Sequence, residues 1–221
     1  MIAPNEFVMH GSFFAHRALM RDTEMLNSIA GRIDLLDRTG LKQLKKWYDF
    51  YWNMMEQHHA AEDDFLFRAL EEKLNEPSED IEVMEVEHNR IQFLIDEVKR
   101  LVGELERDGK NDALALEFQS NATELLNVFR RHIEREEKYV REKMMNHFSP
   151  KEQQRIEQKV KRKAPYRYLS YMIPWLHDSL NQEENKMLDA SLPRVAKVLN
   201  RFIWKEKYNR LVTPVKAMLS L

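Results

Sequence analysis

Two histidine–glutamate pairs in the first 150 residues have the spacing of metal ligands on a helix. His58 is followed four residues later by Glu62, and His132 is followed four residues later by Glu136. On an α-helix this spacing places an imidazole and a carboxylate one turn apart on the same face, about 6 Å along the axis. Because imidazole nitrogens and carboxylate oxygens suit metals such as iron and manganese, both pairs are candidate metal ligands.

The composition of the chain favours the helices that such pairs need. Charged residues make up 33% of the 221 residues and are interleaved with apolar ones, and there are only five glycines. Turn signals indicate four helices, at about residues 11–36, 41–74, 80–107 and 112–146. Short connections between helices of similar length favour antiparallel neighbours. We therefore predict an all-α fold, an up-down-up-down four-helix bundle with an additional C-terminal helical segment.

The predicted bundle brings one histidine from each helix to a common height. In an antiparallel pair of helices, residues equally far along the chain from the connecting loop lie at the same height. At a rise of 1.5 Å per residue, the heights of the paired ligand residues differ by about 6 Å at most. The four histidines are His16, His58, His88 and His132. A lone helical histidine–glutamate pair is usually a surface ion pair. Several buried ionisable groups at one level would be costly without a metal, so the joint pattern predicts a metal site.

Residues 149–221 are predicted to form a helical extension after a bundle domain at residues 1–148. Ser149-Pro150-Lys151-Glu152 has the pattern of a capping box with proline at the first helical position. We expect the helices of the extension to be broken at four prolines, which are Pro165, Pro174, Pro193 and Pro214. Its aromatic residues could cover the open end of the bundle, form a homodimer interface or enlarge the core.

Charge and composition exclude several classes of function. The formal net charge of −2 gives no global positive field for nucleic acid. No apolar run approaches the length of about 18 residues that a membrane span requires. The chain has no cysteine, which excludes disulfides and thiolate metal sites, and its N-terminus lacks the pattern of a secretory signal. We expect a cytoplasmic protein with no nucleic-acid or membrane partner.

The sequence resembles the haemerythrin-like family, also called the HHE cation-binding domain, over about residues 10 to 148. The resemblance rests on His16, His58-x-x-x-Glu62, Glu87-His88 and His132-x-x-x-Glu136. It implies two iron ions joined by an oxo or hydroxo bridge, with terminal histidines and with Glu62 and Glu136 as bridging carboxylates. Manganese is the alternative metal, whereas zinc is disfavoured because the ligand set exceeds four. The segments around Trp175 and Pro193 resemble the extension of some larger bacterial members.

Other residues near the motifs are candidates for additional metal ligands or for side chains that position the ligands. The further candidate ligands are His59, Asp63, Glu85 and Glu137. Asp63 and Glu137 compete with the two implied bridges, because each lies one residue beyond. On the ligand faces, Tyr51, Gln92 and Tyr139 are predicted to orient imidazoles or to donate a hydrogen bond to a bound small molecule.

One departure from the oxygen-carrying haemerythrins bears on function. Those proteins use two histidines four apart on the third helix, but Met84 and Gln92 stand at that distance from His88. Four histidines, two bridging carboxylates and one bridging oxygen would leave about two of roughly twelve positions around two irons open. A second open position would admit a substrate, which favours a redox enzyme acting on oxygen or peroxide. That argument fails if His59 or Glu85 fills the gap.

Two other hypotheses compete with the enzyme. The first is a module that binds or senses oxygen, nitric oxide or iron without turnover. The second is a metal-free helical scaffold. A ferritin-like bundle is disfavoured because it would show paired Glu-x-x-His motifs, and only Glu85 with His88 has that spacing.

Overall fold

The N-terminal part of the chain folds into four long helical segments that pack as an antiparallel bundle. A computed structural model describes residues 6–75, 78–163 and 166–221, except for the side chains of residues 160–167. The bundle segments are α1 (His10–Ala30), a second segment made of α2 (Arg38–Ala61), a π-helical stretch (Glu62–Phe67) and α3 (Arg68–Leu74), then α4 (Glu79–Asp108) and α5 (Asp112–His147). Helix α5 packs against α1 and α4, and α2 packs against α4 and α1. The predicted four-helix bundle is confirmed.

The helix ends follow local capping chemistry. Helix α2 begins three residues before the predicted Leu41, because the Asp37 side chain accepts a hydrogen bond of 2.7 Å from the Gly40 amide and caps the helix there. Helix α1 ends at Ala30, earlier than predicted, and a 3₁₀ turn at Ile33–Leu35 follows. The bounds of α4 and α5 agree with the predicted ones within one residue.

Two apolar layers fill the bundle, and the candidate ligands lie between them. One layer includes Met55, Ile91 and Phe129, and the other includes Phe67 and Met84. Each long segment places its motif histidine between these layers, and the second segment and α5 add Glu62 and Glu136 there. The layers exclude water from both sides, so polar groups between them must be paired within the protein or by a ligand.

The C-terminal tail is helical, as predicted, but only one of the described prolines breaks it. Its elements are α6 (Pro150–Lys163), α7 (Tyr166–Ser179), α8 (Gln182–Ser191), α9 (Arg194–Leu199), a π-helical stretch (Asn200–Trp204), α10 (Lys205–Ala217) and a 3₁₀ turn (Met218–Ser220). Pro193 precedes α9, but Pro174 and Pro214 lie inside α7 and α10, so the predicted breaks there are wrong. Pro165 lies outside the described residues.

The start of the tail confirms the predicted cap. The Ser149 amide and hydroxyl both donate to Glu152 Oε2, at 2.8 and 2.7 Å. This is the backward half of a capping box, and Pro150 occupies the first helical position. The start of α6, the first helix of the tail, is therefore fixed by hydrogen bonds within its own first turn.

The tail enlarges the core of the bundle. Helix α7 packs on α1, and α10 packs on α2. Trp175 and Tyr208 are buried in the same apolar cluster as the bundle residues, with Phe50 between them. Proline inside α7 is tolerated because tertiary packing holds the helix where one backbone hydrogen bond is missing. Of the three uses predicted for the tail aromatics, core enlargement is confirmed. The division at residues 148 and 149 stays a prediction.

A polar cluster between bundle and tail gives a first testable prediction. Asp178 Oδ2 accepts hydrogen bonds from Arg21 Nη1 at 2.8 Å, Tyr208 Oη at 3.0 Å and Lys216 Nζ at 2.7 Å. We expect Asp178→Asn to lower the free energy of unfolding by about 1–3 kcal/mol, because the three hydrogen bonds lose their charged acceptor. Urea denaturation at pH 7 measures this loss, with the exposed Asp34→Asn as control.

The same variant has a predictable pH dependence. Burial alone would raise the pKa of Asp178, but the hydrogen bond from Lys216 and the charge of Arg21 outweigh burial and lower it. A carboxylate with a lowered pKa contributes stability above its unfolded pKa of about 3.9 and loses it as the pH falls. The difference between wild type and Asp178→Asn should therefore be equal at pH 7 and pH 5 and should shrink below about pH 4. A difference that grew on acidification would contradict the assignment.

Candidate metal centre

One half of the candidate site brings together residues from the first two bundle segments. The ligand atoms of His16, His58 and Glu62 all lie within 4.8 Å of one another. Glu62 Oε1 is 3.4 Å from His16 Nε2 and 3.2 Å from His58 Nε2. These separations are those of groups that surround a common point, so this trio could hold a metal ion.

The other half joins three histidines from three different segments. The ligand atoms of His59, His88 and His132 also lie within 4.8 Å of one another. The rings of His59 and His88 are stacked, with centroids 4.1 Å apart, and the Nε2 atoms of His88 and His132 are 3.1 Å apart. All three residues are buried. Adjacent residues His58 and His59 thus serve different halves of the cluster.

Two buried glutamates lie between the halves. Glu62 Oε2 is 3.9 Å from His88 Nε2, while Oε1 of the same carboxylate faces His16 and His58. Glu136 Oε2 is 3.2 Å from His132 Nε2 and 3.6 Å from His16 Nε2. Each carboxylate therefore contacts both groups of histidines. Glu62, His88 and Glu136 form a third group whose ligand atoms lie within 4.8 Å.

Carboxylates on the outer side hold three of the imidazoles. His16 Nδ1 lies 3.1 Å from Glu137 Oε1, and His88 Nδ1 lies 2.8 Å from Asp63 Oδ1. His132 Nδ1 is similarly 3.1 Å from an oxygen of Glu87. A carboxylate at Nδ1 takes the ring N–H and turns the Nε2 lone pair inward, as around metal-bound histidines. The rival ligands Asp63 and Glu137 are therefore placed on the outer side of the histidines.

The inward-facing atoms test whether a cation fits. Among the described residues, buried atoms without a hydrogen-bond partner include His58 Nε2, both ring nitrogens of His59, Glu62 Oε2 and both oxygens of Glu136. Buried acceptors are normally paired, so this many unpaired ones around one point fit a site for cations.

The π-helical stretch at Glu62–Phe67 explains how one segment supplies several of these contacts. A π-helical turn adds a residue relative to the α-helix, and such turns recur at functional sites. Here Glu62 is buried in the cluster while its neighbour Asp63 reaches His88. Phe67, at the end of the stretch, stacks on the His88 ring with centroids 5.5 Å apart. The α-helical period used on the sequence did not predict this stretch.

In the metal-free side chains, the two buried glutamates and His16 shift one another's pKa values, and a protonated His16 compensates the charge of Glu136. Burial and the charge of Glu136 raise the pKa of Glu62. Burial would also raise the pKa of Glu136, but the charge of His16 and the nearby ring of His132 outweigh burial and lower that pKa. Burial opposes protonation of His16 as well, yet the surrounding glutamates raise its pKa to about 10. Bound cations would compensate the same carboxylates.

Two further histidines of the cluster, His58 and His59, are neutral. Burial lowers the pKa values of His58 and His59 well below the ordinary histidine value. A neutral imidazole keeps a lone pair, and only this form binds a metal. Their protonation state therefore suits coordination.

Several predicted residues lie away from the cluster. Glu85 is exposed on α4, about 100° around the helix from the buried Met84. The Tyr51 hydroxyl shares a hydrogen bond with Thr23, the Tyr139 hydroxyl shares one with Ser78, and the Gln92 amide donates to Asp96. These three side chains direct these polar groups to partners outside the cluster, so their role beside the imidazoles or a bound small molecule stays a prediction.

Two contacts of the cluster were not predicted. Ser12 Oγ donates to Glu62 Oε1 at 2.6 Å, and Glu87 holds His132. The sequence contains a signal for Ser12, because it lies four residues before His16 and so shares its helix face. Glu87 precedes His88 directly, and its partner on α5 could not be inferred from spacing within one helix.

The fold and the site together define a cation-binding four-helix bundle. The chain belongs to the family described as the Hemerythrin HHE cation binding domain, whose model matches residues 14–143. Within the described residues, no helix is long and apolar enough to cross a membrane.

Curated relatives come from a plant. The chain is similar to Zinc finger protein BRUTUS of Arabidopsis thaliana, with 25% identity over 207 residues that cover 80% of this chain and 16% of that protein. A BRUTUS-like zinc finger protein of the same plant is 28% identical over 181 residues, covering 78% of this chain and 14% of the relative. The chain thus spans about a sixth of the length of these relatives. Since 80% coverage exceeds the share of residues 1–143, the similarity reaches into the tail. No solved structure matches the chain.

Proposed function

We propose that the chain binds two iron ions and leaves one coordination position for a small molecule such as oxygen or nitric oxide. His16 and His58 would hold one ion, and His59, His88 and His132 the other. Glu62 and Glu136 would bridge the two ions. The observation that supports the proposal is the proximity of His59 to His88 and His132, because His59 would supply the fifth histidine that the third helix lacks.

Counting ligands favours a binding module over an enzyme. Five histidine nitrogens, two bridging carboxylates and a solvent-derived bridge would occupy about eleven of roughly twelve positions on two six-coordinate ions. The sequence-based argument for a second open position depended on a missing ligand, and His59 would fill that position if it binds the same ion as His88 and His132. The set also exceeds the four ligands usual for zinc, which favours iron, with manganese as the alternative.

The chain itself would contribute orientation and a dry environment. When bound, iron supplies reversible ligand binding and electron transfer. The carboxylates of Glu137, Asp63 and Glu87 would fix the ring orientations, and the apolar layers would keep bulk water out. Neutral His58 and His59 would add ligands without adding positive charge beside the ions.

A redox enzyme acting on oxygen or peroxide is the second candidate. It is favoured by the partial exposure of Asp63 and Glu137, whose side chains are 43% and 32% exposed. Each joins a buried imidazole to solvent and so offers a route for proton exchange during turnover. A pure binding site has no need of such a route.

Ligand stoichiometry distinguishes the two candidates. Iron-loaded wild type should bind about one nitric oxide per chain, released when the gas is removed, and should not consume peroxide catalytically. His59→Ala should take up about two, since a second position opens. Absorption titration measures both, with the exposed His147→Ala as control. Equal uptake by wild type and His59→Ala would contradict the fifth-ligand assignment, and catalytic loss of peroxide by wild type would favour the enzyme.

A further inference from the structure

Helix α9 and the π-helical stretch after it carry an apolar row that no described residue covers. Val195, Val198, Phe202 and Ile203 are spaced by three, four and one residues, and each is more than half exposed, with Phe202 at 70%. Trp204, on the inner side of the same stretch, is buried. An exposed apolar row opposite a buried aromatic marks an interaction surface.

Four cations follow this apolar row. They are Arg194, Lys197, Arg201 and Lys205, and residues 193–205 contain no acidic side chain. They lie in register on one flank of the row, three or four residues apart, as neighbours on a helix face do. None of the four has an ion-pair partner within the part of the chain that the structure describes. We call this surface, residues 194–205, the basic stripe.

A surface of the opposite charge lies on the first half of α4. Val83 and Val86 are exposed there, Val86 at 67%, and Phe93 continues the row two turns further on. The acidic side chains beside them are Glu79, Asp80, Glu82 and Glu85, and the first nine residues of α4 contain no cation. Within the described residues these four acids also lack ion-pair partners. We call this surface, residues 79–93, the acidic stripe.

The contrast with the rest of the surface is informative. Elsewhere on α4, Arg100 pairs with Glu97, Glu104 and Glu117. Arg90, inside the acidic stripe, is already engaged by Glu124. The two stripes are thus places where charges of one sign accumulate unpaired beside exposed valine and phenylalanine side chains. Each stripe offers what the other lacks.

We propose that the partner of these surfaces is a second copy of the chain, with the basic stripe of each copy seated on the acidic stripe of the other. Both rows span three turns of helix or fewer, so their apolar side chains and flanking charges match in length and sign. In a two-fold dimer the contact is made twice, which doubles the buried area. In the homodimer predicted through the C-terminal extension, the extension of one copy would therefore contact α4 of the other copy. This inference does not depend on the proposed metal function.

Charge reversal tests the dimer. Sedimentation velocity of wild type at rising concentration should give a monomer–dimer equilibrium that weakens with salt. Lys197→Glu with Arg201→Glu should raise the dimer dissociation constant at least about a hundredfold, as should Glu82→Lys with Glu85→Lys, because like charges then oppose each other. The control is Lys42→Glu with Lys46→Glu, an exposed pair on α2 with the same spacing and charge change, which should leave dimerisation intact.

Mixing the variants gives the sharper result. The two charge-reversed proteins should each be monomeric alone and should form a heterodimer together, since both contacts are then complementary again. A circular dichroism spectrum like that of wild type and a cooperative thermal transition confirm that each variant is folded. The proposal is overturned if wild type sediments as a monomer throughout, if reversal of the stripe has no more effect than the control, or if the mixture does not associate. A monomer that co-sediments with vesicles of phosphatidylserine would instead assign the basic stripe to an anionic membrane.

Discussion

Replacing His132 by alanine is expected to abolish stoichiometric metal binding, from about two ions per chain to below about 0.2. His132 Nε2 lies 3.1 Å from His88 Nε2 and 3.2 Å from Glu136, so its loss removes a donor from the most enclosed part of the cluster. His58→Ala should have the same effect, since its ring faces Glu62. Elemental analysis after iron loading and gel filtration gives the count directly.

A histidine variant outside the cluster serves as the control, because it shows whether removing a histidine elsewhere in the chain also lowers the metal content. His177 lies in α7 beside Asp189, at 3.4 Å, and is not part of the cluster. His177→Ala should retain about two ions per chain. Equal metal content in the His58, His132 and His177 variants would refute the site.

Metal binding should also raise the free energy of unfolding, and Glu62→Gln should remove this stabilisation by metal. At a free metal concentration of a thousand times the dissociation constant, wild type gains about 4 kcal/mol of unfolding free energy over the metal-free protein. Glu62→Gln keeps the side-chain shape but removes one of two adjacent buried carboxylates. Its metal-free form should be at least as stable as metal-free wild type, because the pKa of Glu62 is raised by burial and by Glu136.

The two responses are measured in the same experiment. Urea unfolding of each protein, with and without metal, should show a large shift for wild type and little shift for Glu62→Gln. The exposed Glu72→Gln should behave as wild type. A metal-free Glu62→Gln that is strongly destabilised would mean that the carboxylate is a structural partner of the histidines and not a ligand.

The sequence was sufficient for the bundle and for the meeting of its histidines. Helix period and the positions of connections fix heights along a bundle, and His16, His58, His88 and His132 do meet at one level. The helix period and the positions of the connections depend on residues close together in the sequence, so both can be predicted without coordinates.

Side-chain direction at single-residue precision was not available from the same pattern. On a regular helix, His58 and His59 point about 100° apart, so spacing gave no reason for both to reach one cluster. They do so because the cluster has two halves. The π-helical stretch similarly lets Glu62 and Asp63 face the same histidines from different sides.

Long polar side chains were the least predictable. Tyr51 and Tyr139 lie on the expected helix faces, but their rings carry the hydroxyls away from the backbone. The Tyr51 hydroxyl shares a hydrogen bond with Thr23, and the Tyr139 hydroxyl shares one with Ser78. Pro174 and Pro214 stay within helices because packing against the bundle outweighs one lost hydrogen bond. Both outcomes depend on tertiary contacts.

X-ray absorption at the iron edge of the fully loaded protein tests most directly whether the cluster holds a pair of ions. We expect a metal–metal scattering contribution at about 3.5–4 Å, together with a first shell of nitrogen and oxygen donors. A loaded protein with a nitrogen and oxygen shell but no metal–metal contribution would contain isolated ions, and the dinuclear account would be wrong.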